Sequence, residues 1–306
     1  MPTFWPALGV IRGRFLLLAL GCVALGVAAS WPADALTPGF CMDAALVLLG
    51  ALAAHAAVNA LNEYSDYRSG LDLRTARTPF SGGSGTLVEH PHCLAQALWI
   101  GLGSLLACAA IGLYFLIREP ALLGQLAPLG AAGLLLVVAY TPWLTRRPWL
   151  CLLAPGLGFG PLMVLGTQLV LAGQISLAGV LLSLVPFWLC NSLLLLNQFP
   201  DIDADRSIGR LTLPMLIGRR RAVRVLGVHW LLAFAGLLLC VLAGWVPPGA
   251  ALGLPGVLPA LRAWQLLRRD PAAAGCLLPA MGLNVLVSVA VPVLMALGIV
   301  LEAVVF

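Results

Sequence analysis

Lysine is missing altogether from the 306 residues, and charged side chains of every kind make up only 9% of them. A soluble domain carries about 25% charged residues, so this chain cannot clothe a water-facing surface in the usual way. Without lysine there is no Gly-x-x-x-x-Gly-Lys phosphate loop. The positive charge comes from 17 arginines scattered between apolar runs, not from a basic block of the kind that binds nucleic acid. Eight cysteines are present without any Cys-x-x-Cys spacing. In mostly apolar surroundings they read as small buried hydrophobes, not as metal ligands or disulfide partners. No stretch is long and polar enough to form a separate soluble domain.

What remains is hydrophobic: 61% of the residues, with a mean hydropathy of +1.01. Apolar content spread along the whole chain predicts an all-α polytopic membrane protein, one transmembrane domain over 1–306 with halves of about 1–145 and 146–306. The first run, Phe15 to Ala29, follows Arg12 and Arg14. It ends in small residues resembling a signal-peptidase site, but a short turn and a second apolar run follow, so an uncleaved first span is expected. Further spans are expected at about 40–64, 93–117, 121–141, 149–171, 176–199, 221–245, 250–267 and 274–300, about nine helices in all.

The arginines test this count. Arg12 and Arg14 precede the first span, Arg68, Arg74 and Arg77 follow the second, and Arg146 and Arg147 follow the fourth. A larger group from Arg206 to Arg224 follows the sixth, and Arg262, Arg268 and Arg269 close the eighth. Only Arg118 falls on the other side. The positive-inside rule then makes the N-terminus and these loops cytoplasmic and puts Phe306 outside, as expected for a multi-pass protein of the cell (inner or plasma) membrane.

The few acids are concentrated. Six of 12 lie in two patches, Asn62-Glu63-Tyr64-Ser65-Asp66 through Asp72 and Asn197 through Asp201-Ile202-Asp203-Ala204-Asp205, each ending an apolar run with the spacing Asn-x-x-x-Asp. On a continuous helix His55, Asn59, Asn62 and Asp66 form one polar stripe that must face the bundle interior. Asn197, Asp201 and Asp205 are successive i+4 neighbours, Asp203 points away from them, and Pro200 is a place for a kink or an end. An acid at the centre of a spanning helix costs about 2.5–3.5 kcal/mol, and somewhat less near the interface, so these patches need cations. Carboxylate and amide oxygens suit Mg²⁺, which leaves the candidate metal ligands as Asn62, Asp66, Asp72, Asn197, Asp201 and Asp205. Arg68, Arg74, Arg77, Arg146 and Arg210 are candidates to grip a diphosphate. The alternative is that the acids simply pair with arginines of their own loops.

The two patches, with Gly70-Leu71-Asp72 after the first and Gly209-Arg210-Leu211-Thr212-Leu213 after the second, resemble the signature motifs of the UbiA superfamily of intramembrane prenyltransferases. The ending of the first patch is most similar to the naphthoate, menaquinone-pathway branch. The resemblance implies nine helices ringing a central apolar cavity, two Mg²⁺ ions, a polyprenyl diphosphate and an aromatic or quinone-precursor acceptor, such as 1,4-dihydroxy-2-naphthoate, in contact with membrane lipid. It implies metal-binding roles for Asn62, Asp66 and Asp72 at one site and for Asp201 and Asp205 at the other, with Asp66 and Asp201 as principal ligands. Asn62 and Tyr140 complete the candidate catalytic set, Tyr140 lying in a Tyr-Thr-Pro stretch similar to a family loop. Glu63 stands where the family has Asp and Arg210 where it has Lys. Alternatives on the same residues are a membrane terpene cyclase, prenyl transfer to a sugar or lipid acceptor, and a secondary transporter.

Outside the patches, Ser81-Gly82-Gly83-Ser84-Gly85 reads as a lid or a plain flexible loop. His90-Pro91-His92 reads as a solvated loop, Asn284 and Ser288 as interhelical hydrogen-bond partners, and Arg219-Arg220-Arg221 as a topogenic and headgroup cluster.

Overall fold

In a medium without water every backbone N–H and C=O must find an internal partner, so the long apolar runs have little choice but to be helical. A computed structural model describes residues 4–31 and 37–305. The turn expected between the first two spans lies largely outside the described residues, as does Phe306.

The helices are α1 (Leu16–Ala29), α2 (Pro38–Arg68), α3 (Leu94–Arg118), α4 (Leu123–Tyr140), α5 (Pro148–Ala172), α6 (Leu177–Ser207), α7 (Arg219–Leu242), α8 (Val257–Arg269) and α9 (Ala274–Val305). No strand occurs among the described residues. Thr37 caps α2 by accepting from the Phe40 N–H at 3.1 Å, with Pro38 at the first helical position, where its missing N–H costs nothing. Ser176 caps α6 in the same way.

Eight helices are long and apolar enough to cross a membrane among the described residues. The expected segment 250–267 is built differently. It enters as a 3₁₀ run, Pro248–Gly256, and continues as the short, arginine-bearing α8. It still returns to the motif end, because Arg269 at its close lies beside Arg219 at the start of α7. The alternation of ends is therefore kept, with Arg268 and Arg269 in the last turn of α8 and Arg219, Arg220 and Arg221 in the first of α7. Arg118, at the far end, is clasped by Asp43 through two bonds of 2.6 and 2.5 Å.

Each helix packs on the next, and α1 touches both α2 and α9, closing the circuit. The most buried of the long apolar helices is α6, whose most apolar stretch is 67% buried, against 6% for α4. α6 runs unbroken through Pro186 and Pro200 to Ser207. The main apolar core, including Leu189, Phe199, Leu226, Trp230, Met281 and Val291, joins α6 to α7, α8, α9 and α1. Polar bonds pin it: Asn284 accepts from Trp230 Nε1 at 3.3 Å and donates to the Ser192 carbonyl at 3.0 Å, and the Ser288 hydroxyl is shared between the Asn284 carbonyl of its own helix at 2.8 Å and the Leu189 carbonyl of α6 at 3.2 Å.

On the other side α5 holds a cavity open. Its middle, Gly158–Leu162, widens to a π turn that follows Pro155 and contains Pro161. Gly160 there lies so close to α6 that a Cβ would come within 2.6 Å of the Ser183 carbonyl. Gly160→Ala is therefore expected to cost about 1–3 kcal/mol, seen as a lower thermal unfolding temperature in detergent. Gly236→Ala, whose Cβ meets nothing within 4 Å, should not lower it. Equal unfolding temperatures for the two variants would contradict this close approach.

Candidate active site

The polar stripe on α2 forms one wall of the site. His55, Asn59, Asn62 and Asp66 all line a cavity of about 450 Å³, and Asn197, Asp201 and Asp205 of α6 line it from across. Leu18, Val47, Phe115, Leu126, Leu134 and Val170 make its deeper part apolar. All of its helical walls come from α1 to α6. α7, α8 and α9 contribute no lining residue: α7 and α9 are packed against α6, and α8 against α7 and α9.

At the mouth the two motifs meet through one cation. Arg210, on the loop after α6, donates through Nη2 to Asp66 Oδ1 and through Nη1 to Asp205 Oδ1 at 3.4 Å, spanning 144 residues to reach the first motif. The pairing thus runs between motifs as well as within its own loop. Asp203 is outside this arrangement, 90% exposed and paired with Arg206 at 3.4 Å.

A second cation comes from the N-terminal lead-in. Arg12, held at φ 51° just ahead of α1, donates from Nε to Glu63 Oε1 at 2.7 Å and from Nη2 to Asn62 Oδ1 at 3.2 Å. Asn62 in turn donates to Thr141 Oγ1 at 3.2 Å, and Asn59 to the Ile11 carbonyl at 2.9 Å. Glu63 is 1% exposed and also accepts from the Ser84 N–H at 2.6 Å and the Ser84 hydroxyl at 2.8 Å. Its extra methylene, relative to Asp, is used to reach Arg12 and the glycine loop. That loop folds over the mouth: Phe80, Ser81, Gly82 and Gly83 line the cavity. Gly83 adopts φ 76°, and a Cβ there would stand 3.1 Å from Glu63 Oε1, so glycine is required on both counts.

Asp72 lines the mouth as well. Burial, then the neighbouring charges of Asp66 and Glu63, push its carboxyl up to about 7. Tyr140 faces the cavity beside Cys151, whose sulfur accepts from Gln198 Nε2 at 3.5 Å. The remaining expected arginines lie away from the cavity. Arg68 is exposed against the Tyr64 ring and hydroxyl. Arg74 bonds the Ser207 hydroxyl at 3.2 Å and so ties the two motif loops together. Arg77 pairs with Glu89 at 3.1 Å, and Arg146 is exposed. His90 and His92 stand 5.7 Å apart, ring to ring, in a short exposed turn. Cys22, Cys41, Cys108, Cys151, Cys190, Cys240 and Cys276 carry free thiols, and Cys93 is buried among Ala7, Val10, Leu87 and Ala97.

The donor set at the mouth is all oxygen, from acids and amides. Asn197 Oδ1 and Asp201 Oδ1 are buried without any hydrogen-bond partner, which leaves two acceptors short of a positive charge or a donor. Among the described residues no three acids, histidines or cysteines close by themselves into a metal-sized group. The amides would have to take part.

A sequence model described as the UbiA prenyltransferase family matches residues 17–286. The chain belongs to that family. The 1,4-dihydroxy-2-naphthoate octaprenyltransferase of Bacillus subtilis (strain 168) is 28% identical over 198 residues, 63% of this chain, and the chain spans 60% of that relative's length. The apo structure of a UbiA homolog from Aeropyrum pernix K1 superposes with a TM-score of 0.66 at 20% identity, covering 95% of this chain and 98% of that one. A UbiA homolog from Archaeoglobus fulgidus, bound to DMAPP and Mg²⁺, gives 0.64 at 14% identity with 95% and 98% coverage. At these identities the likeness establishes the UbiA fold.

Within the UbiA signature, Glu63 is thus a structural brace joining the N-terminal segment, α2 and the glycine loop. Arg12→Ala would leave Glu63 charged and buried with only Ser84 as partner, and is expected to cost about 3 kcal/mol. It should also speed proteolysis of the loop at 81–85, while Arg12→Ala with Glu63→Ala costs less than the sum of the single changes. Wild-type unfolding and cleavage in Arg12→Ala would show that the brace does not hold the loop.

Proposed function

We propose that this protein transfers a prenyl group from a polyprenyl diphosphate to a carbon of an aromatic, quinone-precursor acceptor within the membrane, with Mg²⁺ as cofactor. The observation that carries the reading is the meeting of Asp66 and Asp205, from two distant motifs, at the mouth of an apolar cavity. Family membership supports the reaction class. The Archaeoglobus homolog bound to DMAPP and Mg²⁺ supports the donor and the metal. The Bacillus relative supports 1,4-dihydroxy-2-naphthoate as the acceptor.

The residues at the mouth suit Mg²⁺: Asn62, Asp66 and Asp72 on one side, Asn197, Asp201 and Asp205 on the other, with the unpartnered Oδ1 atoms of Asn197 and Asp201 as open acceptors. When bound, the ion supplies positive charge against the diphosphate oxygens. The chain's own part begins with Arg210 and Arg12, both lining the mouth, which donate to the diphosphate and favour departure of the electron pair of the allylic C–O bond with it. The apolar walls take the first isoprene units and keep water from the allylic cation. A volume of about 450 Å³ lies in the small-molecule range, so a longer tail would leave it toward lipid. Tyr140 stands at the wall where an electron-rich ring and the cation would meet, and Asn62, held by Arg12 and Thr141, orients the mouth.

Polar lining gathers at the motif end of the cavity, which fits a reaction served from one face better than alternating access. The arginines at that end make it the cytoplasmic face of the plasma membrane in this reading.

Membranes carrying Asp66→Ala or Asp201→Ala, assayed with labelled prenyl diphosphate, 1,4-dihydroxy-2-naphthoate and Mg²⁺, are expected to lose prenyl transfer by at least about 100-fold. Near wild-type transfer in both would sink the reading. Wild-type transfer to other aromatic acceptors but not to the naphthoate would remove only the acceptor.

A further inference from the structure

The arginines that the cavity does not use gather at a second place. The first turn of α7 and the end of α8 flank an open surface pocket of about 530 Å³, which shares no lining residue with the cavity. Gly218, Arg219, Arg220, Arg221, Arg269 and Asp270 stand around it, four guanidinium groups against one carboxylate. Asp270 is turned to its own loop, accepting from the N–H groups of Ala272 at 2.8 Å and Ala273 at 3.1 Å. Those bonds, with Arg220 and Arg219 nearby, hold its carboxyl below the usual range.

Arg219 gives Nη2 to the Phe199 carbonyl at 3.0 Å, and its buried Nε has no partner. Arg220, Arg221 and Arg269 form no ion pair among the described residues. The start of α7 adds to the field. Gly218 offers no side chain to cap it and no acid lies in the first turn, so the N–H ends of the helix also face this pocket without a side-chain acceptor.

The same helix continues as an apolar outer face. Arg221 and Arg224 are followed at helical spacing by Val228, Leu231, Leu238 and Leu242, exposed at 50, 63, 43 and 74%. A cationic head and an apolar stripe on one face match the two ends of a phospholipid. A soluble phosphate would explain only the first of these features.

We propose that this pocket binds the phosphate of an anionic membrane lipid, whose acyl chains lie along the exposed face of α7. Arg220, Arg221 and Arg269 donate to the phosphate oxygens, and the uncapped N–H groups of α7 point toward them. Arg219, through its bond to Phe199, ties the pocket to α6 two residues before Asp201.

The test uses the purified full chain in mild detergent and native mass spectrometry with phosphatidylglycerol and phosphatidylcholine of matched acyl chains. Wild type is expected to retain phosphatidylglycerol over phosphatidylcholine by at least about tenfold. Arg220→Gln/Arg221→Gln/Arg269→Gln should bring the ratio near one at an unchanged unfolding temperature. Arg14→Gln/Arg147→Gln/Arg206→Gln, with the same charge removed at the same end, should keep the preference. Equal retention of the two lipids by wild type, or an undiminished preference in the first triple variant, overturns the proposal. Displacement of phosphatidylglycerol by excess glycerol 3-phosphate would also overturn it, since the site would then read a soluble phosphate.

Discussion

Carboxylates from α2 and α6 can share one buried mouth only because cations stand between them. Two acids facing each other across low-dielectric surroundings repel strongly and lose their hydration, so each needs a partner at hydrogen-bonding range. Arg210 joins Asp66 to Asp205, and Arg12 joins Glu63 to Asn62. The N-terminal lead-in, the two motif helices and the glycine loop are all held by these two guanidinium groups. The same arrangement leaves Asn197 and Asp201 with unsatisfied oxygens, so the mouth is stable enough to form and still short of positive charge.

The rest of the molecule serves that mouth by dividing its labour. α6 is the shared wall: one side carries Asn197, Asp201 and Asp205 to the cavity, and the other is buried against α7, α9 and α1. A wall that must hold two acids in place benefits from being the most buried helix, because apolar packing on its far side resists their mutual repulsion. α3 and α4 are lightly buried and close the cavity toward lipid. The π turn in α5 and the close approach at Gly160 set how far α5 stands from α6, and with it the width of the space between them.

Much of this was legible in the residues. Spacing alone placed His55, Asn59, Asn62 and Asp66 on one stripe, and Asn197, Asp201 and Asp205 on another, because a helix in lipid leaves no other way to group them; both stripes line the cavity. Asp203 was separated from Asp201 by the same geometry and is solvent-exposed. The bonds made by Asn284 and Ser288 followed from a polar group's need for a partner inside a bundle. Arg12 was not legible as part of the mouth. It reads as a topogenic residue before the first span, and its partner is 51 positions away, with no local pattern to connect them. Glu63 likewise reads as a displaced acid of the first motif, because the partners that explain it, Arg12 and Ser84, lie far away in the chain. The eighth predicted span also escaped a purely compositional reading, since Pro248–Gly256 is apolar but wound as a 3₁₀ turn.

The sequence by itself determined that this chain lives in a bilayer, that its backbone is helical, that its acids occur in two matched patches and that most of its arginines share one end. Those features follow from local rules: hydrophobic length, 3.6-residue periodicity and the cost of charge in hydrocarbon. Only the tertiary structure decided which arginine meets which acid, that six helices rather than nine enclose the cavity, and that Glu63 braces a loop. These are choices among long-range pairings of equal local merit, and they are settled by which helices can pack closely enough for their side chains to meet.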